Sequence, residues 1–184
     1  YVYSKIAKDA GIEMPETHLF PSQTCIGHFG VKRFDRIGTE KVHIHTACGL
    51  LHASHRTSSI NYDALLKLTS ILTKDIREVE KMVRLMIFNV KAGNKDDHSK
   101  NFSFMLDRNN NWKMTPAYDL TPSQGINGER TSMVNGKGTN ITDSDLIKTA
   151  APFGFSEKKV AIIIEQTDDA LANYGKYMKE LGVK

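Results

Sequence analysis

Cysteine is nearly missing from this chain: Cys25 and Cys48 are the only two among 184 residues. They are too few for a disulfide framework and form no CxxC pair, which points to a reducing, cytoplasmic setting. No stretch approaches the ~20 consecutive apolar residues that a membrane helix needs. The start carries no basic segment followed by an apolar run, the pattern of a secretory signal. Proline (5) and tryptophan (1) are scarce, and neither a collagen-like nor a low-complexity class fits. Neither sign of charge dominates: 25 Lys and Arg face 21 Asp and Glu, a net charge of +4. Without a dense basic run or interleaved aromatics, direct nucleic-acid readout is not expected, and no membrane association is expected either. What remains is 40% hydrophobic and 25% charged residues, the balance of one ordinary globular domain spanning 1–184. The first residue is Tyr1, not Met, and it lies inside a helical pattern, so the chain reads as a piece of a longer protein.

Val2, Ile6, Ala7 and Ala10 recur at helical spacing, with Gly11 as the stop. Thr17 to Phe20 and Ile26 to Phe34 read as strands turned by Pro21-Ser22-Gln23, leading to a charged exit broken at Gly38. Thr39 to Ser59 has no dominant period and reads as loop with a short helix. Asn61 or Ser59 caps a helix carrying Leu65, Leu66, Leu68 and Leu72. Asp75 or Thr73 caps the clearest element, in which Ile76, Val79, Met82, Val83, Met86, Ile87 and Val90 share one face until Gly93-Asn94. Asn101 to Leu106 and Trp112 to Thr115 form a hairpin around Asp107 to Asn111. Thr121 to Asn140, rich in glycine, asparagine and serine, reads as a mobile surface excursion. Asp143 or Ser144 caps a short helix, and Ser156 caps one long amphipathic helix from Val160 to Leu181. The fold class is α+β, predominantly α-helical, with small β-hairpins.

Chemistry concentrates in Gly93-Asn-Lys-Asp96-Asp97-His98-Ser-Lys100-Asn101. Apolar elements pin this polar loop at both ends, the setting in which catalytic groups are held rigidly. Asp96 and Asn101 stand in the Asp-x-x-x-x-Asn interval of phosphotransferase loops, where the aspartate accepts a hydroxyl proton and the amide oxygen holds magnesium. Asp97 lies outside that interval and suits either loop solubility or a brace for the loop backbone. After the small hairpin comes Pro116-Ala117-Tyr118-Asp119-Leu120, whose carboxylate supplies the hard oxygen that magnesium prefers. Catalytic Asp, Asn, hairpin, Asp is the order found in protein kinases, although Leu120 departs from their Asp-Phe-Gly. A rival arrangement is zinc held by His43, His45, His52 and His55 with Cys48, at spacings that match no standard finger.

The run Asn94-x-Asp96-x-His98-x-Lys100-Asn101-Phe102-Ser103, followed by Thr115-Pro116-Ala117-Tyr118-Asp119, resembles the signature of HipA-like serine/threonine kinases. Val31-Lys32-Arg33-Phe34-Asp35-Arg36 is similar to that family's link between lobes. Ala7-Lys8-x-x-Gly11-Ile12-x-Met14-Pro15-Glu16 and Asn135-Gly136-Lys137 also fit, so the resemblance runs over nearly the whole length. It implies the large C-terminal lobe of a kinase-like fold: a helix and hinge hairpin over 1–36, then a helical lobe with the catalytic loop over 37–184.

The same resemblance implies a bacterial, ATP- and Mg2+-dependent protein kinase that acts as the toxin of a toxin–antitoxin pair. Asp96 is then the catalytic base, Lys100 neutralises charge on the transferring phosphoryl group, and His98 braces the loop. Asn101 and Asp119 are the magnesium ligands. Lys32, Arg33 and Phe34 lie against the adenine, with backbone groups making the hydrogen bonds and Phe34 an apolar contact. Implied partners are a protein substrate, such as an aminoacyl-tRNA synthetase, and a DNA-binding antitoxin. No glycine-rich phosphate loop or strand lysine is found here; in the family these precede the residues matching Tyr1, so this stretch by itself is expected to transfer almost no phosphate. Two other classes stay open: a kinase-derived binding module without catalysis, and a metal-dependent hydrolase using Asp96, Asp97 and the histidines.

Overall fold

The computed structural model describes residues 1–53 and 60–183, and its organising element is the helix α4, Ile76–Lys91. Val79, Met82, Val83, Leu85, Met86, Ile87 and Phe88 are buried, the last four in a row, so the C-terminal half of the helix is buried all round, while Ile76 at its start is exposed. Around it pack α3 (Tyr62–Thr73), α5 (Asp143–Ala150), α6 (Glu157–Ala172) and the strand β7 (Trp112–Met114). Asp75 caps the start of α4, its carboxylate accepting the Arg77 N–H at 2.9 Å. At the other end Asn94 N–H bonds Asn89 O at 3.0 Å and Gly93 N–H bonds Val90 O at 3.4 Å. This double closure places Gly93 at φ +71°, the left-handed residue that terminates a helix and redirects the chain. The helix α1 (Val2–Asp9) ends the same way at Gly11, with Ile12 N–H reaching Ala7 O at 2.9 Å.

After α1, β1 (Thr17–Phe20) pairs antiparallel with β2 (His28–Val31), Thr17 opposite Val31. Arg36–Ile37 (β3) and Glu40–Lys41 (β4) then form a minimal hairpin around Gly38, whose φ is +61°. The stretch expected as loop with a short helix has its helix, the one-turn α2 (Ala47–Leu50), but before it also contributes a strand, β5 (Ile44–Thr46). β5 adds to β6 (Ser103–Leu106) and β7 in a three-stranded antiparallel sheet, Thr46 opposite Ser103 and Phe104 opposite Met114. Three residues carry too short a pattern to announce a strand; the partner, far along the chain, makes it one. Asn61 caps α3, its side chain accepting the Ala64 N–H at 2.9 Å, while the competing cap Ser59 lies outside the described residues.

Three further expectations change. The cap of α5 is Thr142, not Asp143 or Ser144; it forms a reciprocal capping box with Asp145, because the Asp145 carboxylate returns to Thr142 N–H at 2.9 Å. The last helix is two: α6 ends at Ala172, a turn falls at Asn173, and α7 (Tyr174–Glu180) packs, like α6, on α1. Asp9 holds that corner, accepting the Tyr177 hydroxyl at 2.5 Å and Asn173 Nδ2 at 3.5 Å, and Lys5 pairs with Glu180 at 2.8 Å. Finally, the 121–140 excursion is tied into the interior: Arg130, Ser132 and Val134 are buried. Two tight turns, Ile126 paired with Glu129 and Val134 with Lys137, put Asn127 and Asn135 at positive φ, which explains the asparagine and glycine content. Among the described residues no helix is long and apolar enough to cross a membrane.

Candidate active site

The closure at Gly93 aims the chain away from α4 into 94–98, and a single 3-10 turn over Ser99–Asn101 joins it to β6. Along this loop burial alternates sharply: Asp96 is exposed, Asp97 fully buried, His98 half-buried and Lys100 exposed. Asn101 turns back on the loop, its Nδ2 donating to the Asp96 carbonyl at 3.1 Å and its N–H to the His98 carbonyl at 2.8 Å. Only the nitrogen of an amide can donate to a carbonyl, so this bond leaves Asn101 Oδ1 free as an acceptor. The His98 imidazole makes no such bond at Nδ1, which is buried and unpartnered.

Across the hairpin of β6 and β7, Thr115 N–H bonds Ser103 O at 3.0 Å and returns the chain to the same loop. Tyr118 then clasps it: its hydroxyl donates to the Lys100 carbonyl at 2.6 Å and lies 2.5 Å from Ser103 Oγ. Burial first, and the Asp119 carboxylate second, push the Tyr118 phenol up from its ordinary range. Asp119 follows at φ +56°, a left-handed conformation uncommon for aspartate, with its side chain exposed. Phe34 packs on Tyr118 with ring centroids 5.7 Å apart, which links the segment after β2 to the loop. Lys32 and Arg33 instead extend into solvent, Lys32 paired with Glu16 at 3.4 Å and Arg33 with Asp35 at 2.5 Å. The Arg33 bond holds the Asp35 carboxyl down to about 2.

Beneath the exposed residues lies a buried polar network absent from the sequence reading. Asp97 Oδ2 accepts the Tyr62 hydroxyl at 2.8 Å and sits 3.5 Å from Arg130 Nη2. Ser132 N–H reaches Asp97 Oδ1 at 3.0 Å. Arg130 also donates to the carbonyls of Asn89 at 3.1 Å and Asn94 at 2.8 Å, which satisfies acceptors at the end of α4. Desolvation raises the Asp97 pKa, opposed by Arg130 and the bonds from Ser132 and Tyr62; burial, then Asp97, drives the Tyr62 phenol well above its usual range. Of the two roles open to Asp97, the brace is the one its surroundings match. Arg130 gave no local signal, being one cation in a glycine- and asparagine-rich run, whereas Tyr118 stood inside a motif already singled out.

Three residues of the zinc arrangement are otherwise engaged, while His52 is exposed at φ +48°. His43 packs edge-on to Trp112 at 5.5 Å, His45 Nδ1 lies 3.3 Å from the Thr46 carbonyl, and Cys48 Sγ donates to Ala53 O at 3.1 Å. His55 lies outside the described residues. Among the described residues, no three His, Cys, Asp or Glu side chains cluster as metal ligands. For magnesium the donor chemistry fits: Asn101 Oδ1 and the Asp119 carboxylate are hard oxygens, and phosphate oxygens and water complete the coordination of such sites.

Comparison with known proteins adds the family context. A curated protein of Sinorhizobium fredii, "Putative kinase Y4dM", is 27% identical over 180 residues, covering 88% of this chain and 44% of its own length. Among solved structures, HipA in the Shewanella oneidensis MR-1 toxin–antitoxin complex of HipA, HipB and operator DNA superposes with a TM-score of 0.75 at 18% identity. That match covers 98% of this chain and 47% of HipA. The Helicobacter pylori proinflammatory kinase CtkA gives a TM-score of 0.52 at 14% identity, covering 100% of this chain and 83% of CtkA. These structures share the α+β, kinase-like fold. The chain thus spans less than half the length of Y4dM and of HipA. The model of the HipA-like C-terminal domain matches residues 1–174, and the chain belongs to that family.

Proposed function

We propose that this domain is the larger lobe of an ATP- and Mg2+-dependent serine/threonine protein kinase. The observation that carries the reading is the clasp between the two sequence signatures. Tyr118, next to Asp119, bonds the Lys100 carbonyl at 2.6 Å, while Asn101 bonds the Asp96 carbonyl at 3.1 Å. These bonds join the two signatures through their backbones, which supports a shared site for Asp96, Lys100, Asn101 and Asp119.

In this reading Asp96 accepts the proton of a serine or threonine hydroxyl as its oxygen attacks the γ-phosphorus and the bond to the β-phosphate oxygen breaks. An exposed carboxylate suits that role, since the acceptor arrives on another protein. Lys100 lies beside the transferring group and offsets its charge. Asn101 and Asp119 would hold magnesium, which supplies charge neutralisation on the phosphates. Phe34 and Tyr118 would form an apolar wall for the base, with Arg33 and Phe34 backbone groups as its bonding partners, since the Lys32 N–H is taken by Glu16 O at 2.8 Å. Bracing the loop is the role the resemblance gives the half-buried His98, although its Nδ1 makes no hydrogen bond. Positioning and electrostatics supply most of the rate in such transfers. A DNA-binding antitoxin is the proposed partner, because the structural neighbour HipA is seen with HipB and operator DNA; an aminoacyl-tRNA synthetase is the proposed target class.

The test uses the full-length protein with MgATP and a pool of serine- and threonine-containing peptides. Asp96→Asn is nearly isosteric and should abolish phosphate transfer with folding intact. Asp119→Ala should also weaken MgATP binding, read by calorimetry with and without Mg2+. Normal transfer by both variants would overturn the assignment.

A further inference from the structure

Asp96 and Asp97 are neighbours in sequence and opposites in environment: the first faces solvent, the second is fully buried. Burying an ionised carboxylate opposes folding unless its partners compensate, and a loop in need of solubility alone would leave it in water. The partners here come from three other stretches of chain. Tyr62 opens α3, Asn89 lies in α4, and Arg130 and Ser132 belong to the segment after Asp119.

The bonding has a direction. Asn89 Nδ2 donates to the Tyr62 oxygen at 3.0 Å, so the phenol's single proton goes to Asp97. Asn94 Nδ2 in turn donates to Asn89 Oδ1 at 3.0 Å, which fixes the Asn89 amide. Ser132 grips Asp97 twice, N–H to Oδ1 at 3.0 Å and Oγ to the main-chain carbonyl at 2.5 Å. One residue earlier in the same segment, a main-chain N–H bonds the Lys95 carbonyl at 2.9 Å. The Asp96 carbonyl is taken by Asn101 Nδ2. The backbone is therefore bonded before, at and after Asp96.

We propose that Tyr62, Asp97, Arg130 and Ser132 form a positioning unit that fixes the backbone on both sides of Asp96 and couples its placement to the segment that follows Asp119. The inference rests on Asp96 being the catalytic base. These four residues touch no reacting atom; they act through the loop. A carboxylate held to within a few tenths of an ångström reacts, and one displaced by about 1 Å loses on the order of 100-fold in rate.

The experiment compares Tyr62→Phe, Ser132→Ala, Arg130→Gln and Arg130→Lys in the full-length protein, again with MgATP and the peptide pool. Tyr62→Phe and Ser132→Ala each delete one hydroxyl and keep the rest of the side chain. The expected result is a fall in kcat per folded molecule on the order of 10- to 100-fold with KM for ATP unchanged within about twofold. Amides of 95–101 should exchange with deuterium faster, while those in the middle of α4 keep wild-type rates. Arg130→Lys, which retains the charge, should recover activity that Arg130→Gln loses. Wild-type kcat in both hydroxyl deletions, or a loss of rate matched by the unfolded fraction alone, overturns the proposal. Asp96→Asn serves as the control: if it transfers phosphate normally, the kinase reading has failed, and unchanged exchange at 95–101 in the hydroxyl deletions separately removes the positioning unit.

Discussion

At residue 93 the backbone must adopt φ +71°, and that one torsion decides where the candidate loop begins. A Cβ at Gly93 would meet no atom within 4 Å, so the requirement is conformational and not steric. Gly93→Ala should therefore cost roughly 1–2 kcal/mol from the left-handed torsion alone, measured by urea denaturation. A cost near zero would mean that the loop can leave α4 by another route. The same scale separates Asp96 from Asp97. Their chemistry is identical in sequence, and the phosphotransferase interval already pointed to the first. The buried role of the second depends on Tyr62, Arg130 and Ser132, residues with no local sign of a shared task. Tyr118 lies between these cases, visible in its motif but without a role until its hydroxyl is seen on the Lys100 carbonyl.

Among the elements, α4 was legible because seven apolar positions over four turns repeat one face, and its cap and glycine stop are local signals. The strand β5 was not, since three residues gain their conformation from pairing with β6. The break between α6 and α7 was hidden for a related reason: the apolar stripe continues across Asn173, and the corner is set by Asp9 of α1. The Asp9 bond holds the Tyr177 phenol up to about 12. The capping of α5 offers a quantitative check. Thr142 Oγ1 lies 3.4 Å from Asp145 N–H and 2.8 Å from Asp145 Oδ2, so Thr142→Ala should destabilise the domain by about 1 kcal/mol. Chemical denaturation reads it, and the small size of the effect distinguishes loss of a cap from loss of core packing.

Taken as a whole, the domain is set to lose stability in acid. Asp35, Asp75 and Asp107 are held down to about 2 from an ordinary 3.8, by Arg33, Arg77 and the Asn111 N–H respectively. Asp145 is held lower still, chiefly by Lys137. A carboxyl depressed in the folded state stabilises fully above its ordinary value and loses that contribution as pH falls through the depressed one. The melting temperature should therefore drop between about pH 4 and about pH 2, followed by circular dichroism. Asp97 acts in the opposite sense, because burial raises its pKa and protonation relieves the cost of a buried charge. A melting temperature that stays level below about pH 4 would count against the depressed group of carboxyls.

Local patterning determined the helices α1, α3 and α4, the hairpin of β6 and β7, and the two short signatures that carry the family resemblance. Each of these depends on side-chain periodicity, capping or turn chemistry within a few residues. Tertiary structure alone decided the strand β5, the corner at Asn173, and the inward turn of Asp97 onto Tyr62, Arg130 and Ser132. Those features depend on free energy gained between residues far apart in the chain, where a hydrogen bond or a buried charge acquires its partner only after the intervening segments have packed.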